Sequence, residues 1–132
     1  MVISNAKRPR PAQSVEPATQ VTPAIFQIML ALVDGDSHGY GIMQDVERIT
    51  RGAARLGPGT LYRSIQRMLV EELIEELEIA LFNESDDDRR RYYRLTRKGR
   101  AVAKAEAQRL ADLVDAARER NLIKRGGKGE KS

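Results

Sequence analysis

Thr60, Arg63, Gln66 and Arg67 recur at steps of one or three residues between Gly59 and Glu71. That spacing puts them, with Val70, on one side of a helix whose other side carries Leu61, Ile65, Met68 and Leu69. An arginine can hold guanine through two parallel hydrogen bonds, a glutamine can do the same with adenine, and hydroxyls suit phosphates. No acid occurs from Arg51 to Val70, which also contains Arg55. The competing reading is an ordinary amphipathic helix with a solvated basic face. Tyr62 lies at the border of stripe and face, where it either adds a hydroxyl for a phosphate or only packs.

A second basic run, Arg89 to Arg100, has seven basic residues in twelve and no acid. Arg89, Arg90 and Arg91 would reach a phosphate backbone or a minor groove. Their bland alternative is to neutralise the neighbouring Asp86, Asp87 and Asp88. Tyr40 sits at a helix start, suited to a phosphate or to packing on the preceding helix. His38 beside it reads as a capping or packing residue rather than a pH sensor.

Catalytic chemistry finds no constellation. Asp36-Ser37-His38 has the residue types of a hydrolytic triad, but sequence neighbours do not converge as a triad must. Asp86-Asp87-Asp88 lacks the alternation and glycine of a calcium loop. Gly57-Pro58-Gly59-Thr60 lacks the Gly-Lys-Ser/Thr ending of a phosphate-binding loop. With no cysteine and one histidine, disulfides, thiol nucleophiles, thiolate zinc sites and His-rich metal sites are excluded, and neither cofactor nor metal is expected.

The 132 residues suffice for one domain with a modest core, 41% of them being apolar. The net charge of +4 is unevenly spread: +2 over residues 1–21, −4 over 22–95 and +6 over 96–132. A basic total is therefore a poor argument for a polyanionic partner, and local clustering matters more. The longest nearly apolar stretch, Ala24 to Val33, is too short to span a bilayer, and no apolar run follows Lys7-Arg8-Pro9-Arg10. The expectation is a soluble cytoplasmic protein without membrane contact.

Residues 1–21 and 124–132 read as disordered tails. Between them, Thr22-Pro23 announces a first helix that is apolar nearly all round. Ser37 or His38 caps a second helix ending at Gly52, and Ala53 to Leu56 reads as a short strand. Pro58 starts the third helix. From Leu73 the period changes to two, with Leu73, Leu77, Ile79 and Leu81 on one face of a strand. Asn83 to Asp88 turns it into a returning strand, Arg91 to Leu95. Thr96 caps a last helix reaching about Ile123. The expected fold class is mainly α with a small β-hairpin: a winged helix-turn-helix over 22–96 plus a long C-terminal helix over 97–123.

At this point the chain resembles the PadR family of bacterial transcriptional regulators. The matching pieces are His38-Gly39-Tyr40-Gly41-Ile42, Gly59-Thr60-Leu61-Tyr62-Arg63 and Arg91-Tyr92-Tyr93-Arg94-Leu95-Thr96-Arg97-Lys98-Gly99-Arg100. The resemblance implies a homodimeric winged-helix repressor of the compact branch, dimerising through its single C-terminal helix, with some relatives responding to small aromatic ligands held between subunits. Two departures stand out. Glu72 occupies a position where the family usually has glycine, so the third helix should end by Glu71 and turn at some conformational cost. There is also no Trp, and nothing aromatic follows Tyr93, so a small-molecule effector gains no support from aromatic residues on the last helix.

That helix carries a stripe of Val102, Ala103, Ala107, Leu110, Leu113, Val114 and Ala117, broad enough for a buried face. With Phe26 of the first helix it forms the expected dimer interface. The resulting reading is a sequence-specific regulator, a repressor binding double-stranded DNA at a pseudo-palindromic operator as a homodimer. Its DNA-binding residues would be Tyr40, Thr60, Tyr62, Arg63, Gln66, Arg67, Arg89, Arg90 and Arg91. The alternative from a different class is a winged-helix protein–protein adaptor whose glutamate-rich strand faces a basic partner.

Overall fold

The structure, a computed structural model, describes residues 20–79 and 90–124. Helix α1 (Pro23–Leu32) starts where the Thr22 side chain accepts the Ile25 N–H at 3.1 Å, and it buries Ile25, Ile28, Met29 and Leu32. It is the central helix, packed against α2 (Gly39–Ile49), α3 (Pro58–Val70) and α4 (Arg97–Glu119). The α2 stripe of Ile42 and Val46 and the α3 stripe of Leu61, Ile65 and Met68 complete one apolar core with it. His38 caps α2: its Nδ1 accepts the Gly41 N–H at 3.2 Å.

Three helices end by the same device. At the end of α3, the Leu73 N–H bonds the Met68 carbonyl and the Glu72 N–H bonds the Leu69 carbonyl, with Glu72 at φ 63°. Arg51 after α2 (φ 54°) and Asn121 after α4 (φ 62°) hold the same left-handed position. Glycine normally fills it, because a Cβ there crowds the backbone. The third helix thus ends at the expected point, and Glu72 turns the chain without a glycine.

The antiparallel sheet has the order β1 (Ser37–His38), β3 (Arg90–Leu95), β2 (Ile74–Ile79). Its two-residue edge strand is the first departure from expectation. Residues 53–56 form no strand, because their backbone is engaged by the α2 cap: the Thr50 hydroxyl accepts the Ala54 N–H at 3.0 Å. The second departure is in the wing. Leu73 belongs to the helix-ending turn, so β2 begins at Ile74 and the burial of Leu73 does not fix the face of the odd-numbered strand residues. Ile74 and Glu76 lie opposite Leu95 and Tyr93 on the core side, whereas Leu77 lies opposite Tyr92 on the other face and is half-buried. Leu73 therefore does not share a face with Leu77 as expected, while the side chain of Ile79, Leu81 and the turn from Asn83 to Asp88 lie outside the described residues. The third departure is at the end of α4, which stops at Glu119, four residues before Ile123, because Asn121 adopts the left-handed turn.

Candidate nucleic-acid interface

Helix α3 presents the polar face that its spacing predicts. Thr60, Arg63 and Gln66 are exposed, opposite the buried Leu61, Ile65 and Met68. Arg63 makes no ion pair or hydrogen bond among the described residues, so its guanidinium is open to a ligand. Arg67 is engaged: its Nε lies 3.3 Å from a Glu71 carboxylate oxygen one turn on. Val70 is exposed at the same end of the helix.

Tyr62 is half exposed and rests on the start of α2. A Cβ added to Gly39 would collide with the Tyr62 hydroxyl, so glycine at 39 lets the ring lie across the two helices. Tyr40, the next residue of α2, is exposed rather than packed on α1. Both residues border a cleft of about 450 Å³ between α3 and the wing. The cleft is floored by Ile65 and Leu69 and edged by Gln66, Glu76, Arg91 and Tyr93.

In the wing, Arg91 Nε stands 3.4 Å from Glu76, and Arg94 reaches both Asp36 (3.2 Å) and Glu75 (3.8 Å). The Arg94 guanidinium is held above its ordinary value by the Asp36 hydrogen bond and charge. These pairs engage Glu75 and Glu76 of β2, part of the surface on which a protein–protein adaptor would rely. Arg89 lies outside the described residues, and of Arg90 only the backbone, in β3, is described.

Tyr93 was not singled out by sequence reasoning as a site residue. Its side chain is buried at the back of the cleft, and its phenol is pushed above the ordinary tyrosine value, first by burial and then by the Glu76 charge. The available signal was its alternation with Leu95, which places both on the core face. Glu76 was also missed, because its face is set by its pairing opposite Tyr93, which the burial of Leu73 in the preceding turn does not reveal.

The stripe of α4 divides into two parts. Ala103 is only 7% exposed and Val102 packs on the same core, so both are used within the subunit. Farther along, Ala107 is exposed, Leu110 and Ala117 are half-buried, and Leu113 (54%) and Val114 (39%) face outward. Phe26 is partly buried against the core. No described helix is long and apolar enough to cross a membrane, and no metal-binding cluster occurs among the described residues.

Comparison with known proteins gives the same picture. A curated relative, an uncharacterized 37.1 kDa protein in transposon TN4556 of Streptomyces fradiae, is 35% identical over 86 residues. That match covers 65% of this chain but only 22% of the relative, so the chain spans about a fifth of that protein's length. Protein X of Lysinibacillus sphaericus, also uncharacterized, is 31% identical over 93 residues, covering 65% of this chain and 82% of its own. A PadR family transcription regulator from Clostridium difficile superposes with a TM-score of 0.58 at 25% identity, over 71% of this chain and 95% of that one. A transcriptional regulator from Clostridium thermocellum (TM-score 0.62, 23% identity, 71% and 88% covered) shares the fold. So does a PadR-like regulator from Bacillus cereus (TM-score 0.62, 19% identity, 75% and 91% covered). The model of the transcriptional regulator PadR-like family, a family of DNA-binding regulators, matches residues 28–105, and this winged-helix chain belongs to that family.

Proposed function

We propose that the chain is a sequence-specific DNA-binding repressor acting as a homodimer on a pseudo-palindromic operator. The observation that carries this reading is the outer face of α3. Thr60, Arg63 and Gln66 are exposed together, Arg63 without an acidic partner among the described residues, on a helix anchored by a fully buried stripe. Arg63 and Gln66 have the donors and acceptors that read guanine and adenine in a major groove, while Tyr40, Tyr62 and the wing arginines hold the backbone. A two-fold partner seated on the outward stripe of α4 would set two α3 helices about 34 Å apart, one turn of DNA. Occupying such a site blocks transcription by exclusion.

The test is binding to a mixed duplex pool over a salt series, followed by selection of the retained sequences. Affinity should fall steeply with salt, because neutralising phosphates releases counterions. The selected sites should carry two related half-sites. A flat salt response, or no retention of duplex, would remove the reading and favour the adaptor.

A further inference from the structure

We propose that the cleft between α3 and the wing binds a small organic cation, held by the Glu76 carboxylate and the tyrosine rings around it. The volume, about 450 Å³, falls within the size range of small-molecule sites. Tyr40, Tyr62 and Tyr93 all line it, three of the four tyrosines in the chain. Aromatic rings attract cations through their quadrupole, most strongly where water is displaced. Tyr93 is 4% exposed, and its hydroxyl has no hydrogen-bond partner among the described residues, a buried polar group left for a ligand or water to satisfy.

Charge selects the class of ligand. Glu76 and Arg91 both line the cleft and pair at 3.4 Å, but Glu76 is the deeper, its side chain 36% exposed against 70% for Arg91. The Tyr93 phenol senses the difference: after burial, Glu76 raises its pKa, while the opposing effect of Arg91 is the smallest of its influences. Glu76 is thus the charge that most affects the Tyr93 phenol, and Arg91 stands farther into solvent. A carboxylate ligand would meet Glu76 beside the phenol, and a neutral arene would make no use of it. A cation replaces Arg91 as the partner of Glu76 and sends the arginine into solvent. Because Tyr62 and Gln66 also serve the DNA-binding reading above, on which this consequence rests, cation and duplex would compete.

The experiment follows the ring signals of the four tyrosines by NMR while DNA-free protein is titrated with benzyltrimethylammonium. Tyr40, Tyr62 and Tyr93 should shift saturably, and Tyr92, on the other sheet face, should move least. Glu76→Gln should weaken binding at least tenfold, whereas Arg91→Ala should tighten it. Benzoate and benzyl alcohol should bind at least tenfold more weakly than the cation. No saturable shift up to about 10 mM, an affinity too weak to matter, would overturn the proposal. So would an unchanged affinity in Glu76→Gln, or benzoate binding as well as the cation. These titrations contain no DNA, so their outcome is separate from that of the duplex experiment. Duplex affinity that stays unchanged in saturating cation would remove the competition.

Discussion

Gly99 lies directly against the carbonyl oxygen of Leu73, so close that a Cβ at 99 would overlap it. The same carbonyl accepts the Thr96 N–H at 3.0 Å. The Thr96 hydroxyl donates to the Glu72 carbonyl at 2.7 Å and accepts the Gly99 N–H at 2.9 Å. One threonine thus caps α4 and ties it to the turn that ends α3, and Gly99 makes the close approach sterically allowed. The direction in which α4 leaves the wing is fixed by this junction.

Gly99→Ala should therefore cost stability beyond its gain in helix propensity, by roughly 1–3 kcal/mol as overpacking does. Thr96→Ala should lose about 1 kcal/mol as a missing cap does, with Thr96→Ser recovering most of it. Urea unfolding of the three variants checks this. A Gly99→Ala protein as stable as the parent would show that the junction yields.

Glu72 makes the opposite case. Its φ of 63° penalises any side chain, so Glu72→Gly should stabilise the protein by about 0.5–1 kcal/mol, the relief of left-handed strain less the added freedom of the unfolded chain. Arg51→Gly should behave alike. A loss of stability at both sites would mean that these side chains make contacts outweighing the strain.

How far the sequence could be read follows from where the physics is local. Thr22, Pro23, Pro58 and Thr96 announced their helices because capping involves neighbours three residues away, and the exposed face of α3 followed from its period. The wing faces did not follow. Whether Leu73 opens the strand or closes the helix is decided by its bond to Met68, and the alternation alone admits both registers. The edge strand at Ser37 and His38 was equally hidden, since its partners Tyr93 and Tyr92 are more than fifty residues away. Glu76 and Tyr93 became site residues only once that register was fixed.

Tyr93 offers a pH test of the same register. Its phenol is raised by burial and by Glu76, so the protonated form is the one the folded state favours. Its contribution to stability is complete below the unfolded tyrosine pKa and is lost as pH rises through the folded one. In an absorbance titration of the phenolates, Tyr93→Phe should delete a high-pH component. Glu76→Gln should move that component down. If it stays in place in Glu76→Gln, the carboxylate does not face the ring.

The proposed function makes base reading and backbone holding separable on this surface. Arg63→Ala should reduce discrimination between operator and scrambled duplex by about 1–3 kcal/mol, the worth of one bidentate base contact. Arg91→Ala should weaken both duplexes about equally and flatten the salt slope by about one unit. Competition binding measures both effects. Full operator preference in Arg63→Ala would sink the assignment of α3 as the reading helix.

The remaining prediction concerns assembly. Toward its end, α4 carries Leu113 and Val114 in solvent, with Leu110 and Ala117 half covered beside them. Such a strip is costly on a monomer, and Ala107 and Ala117 are small enough to let a second helix approach. The near end of the helix is held by the subunit itself: Arg100 donates to the Val33 carbonyl at 3.2 Å, and Ala103 is in the core. On the proposed dimer, charges placed at 113 and 114 should therefore leave the winged helix folded while separating the copies. Leu113→Glu with Val114→Glu is expected to sediment as a monomer, to keep the parent's helical circular dichroism to within the loss of the helix end, and to lose most operator affinity, since each half-site then binds alone. Retention of a dimer by the double variant would place the interface on another face, and α4 would then be an extended arm rather than the contact between subunits.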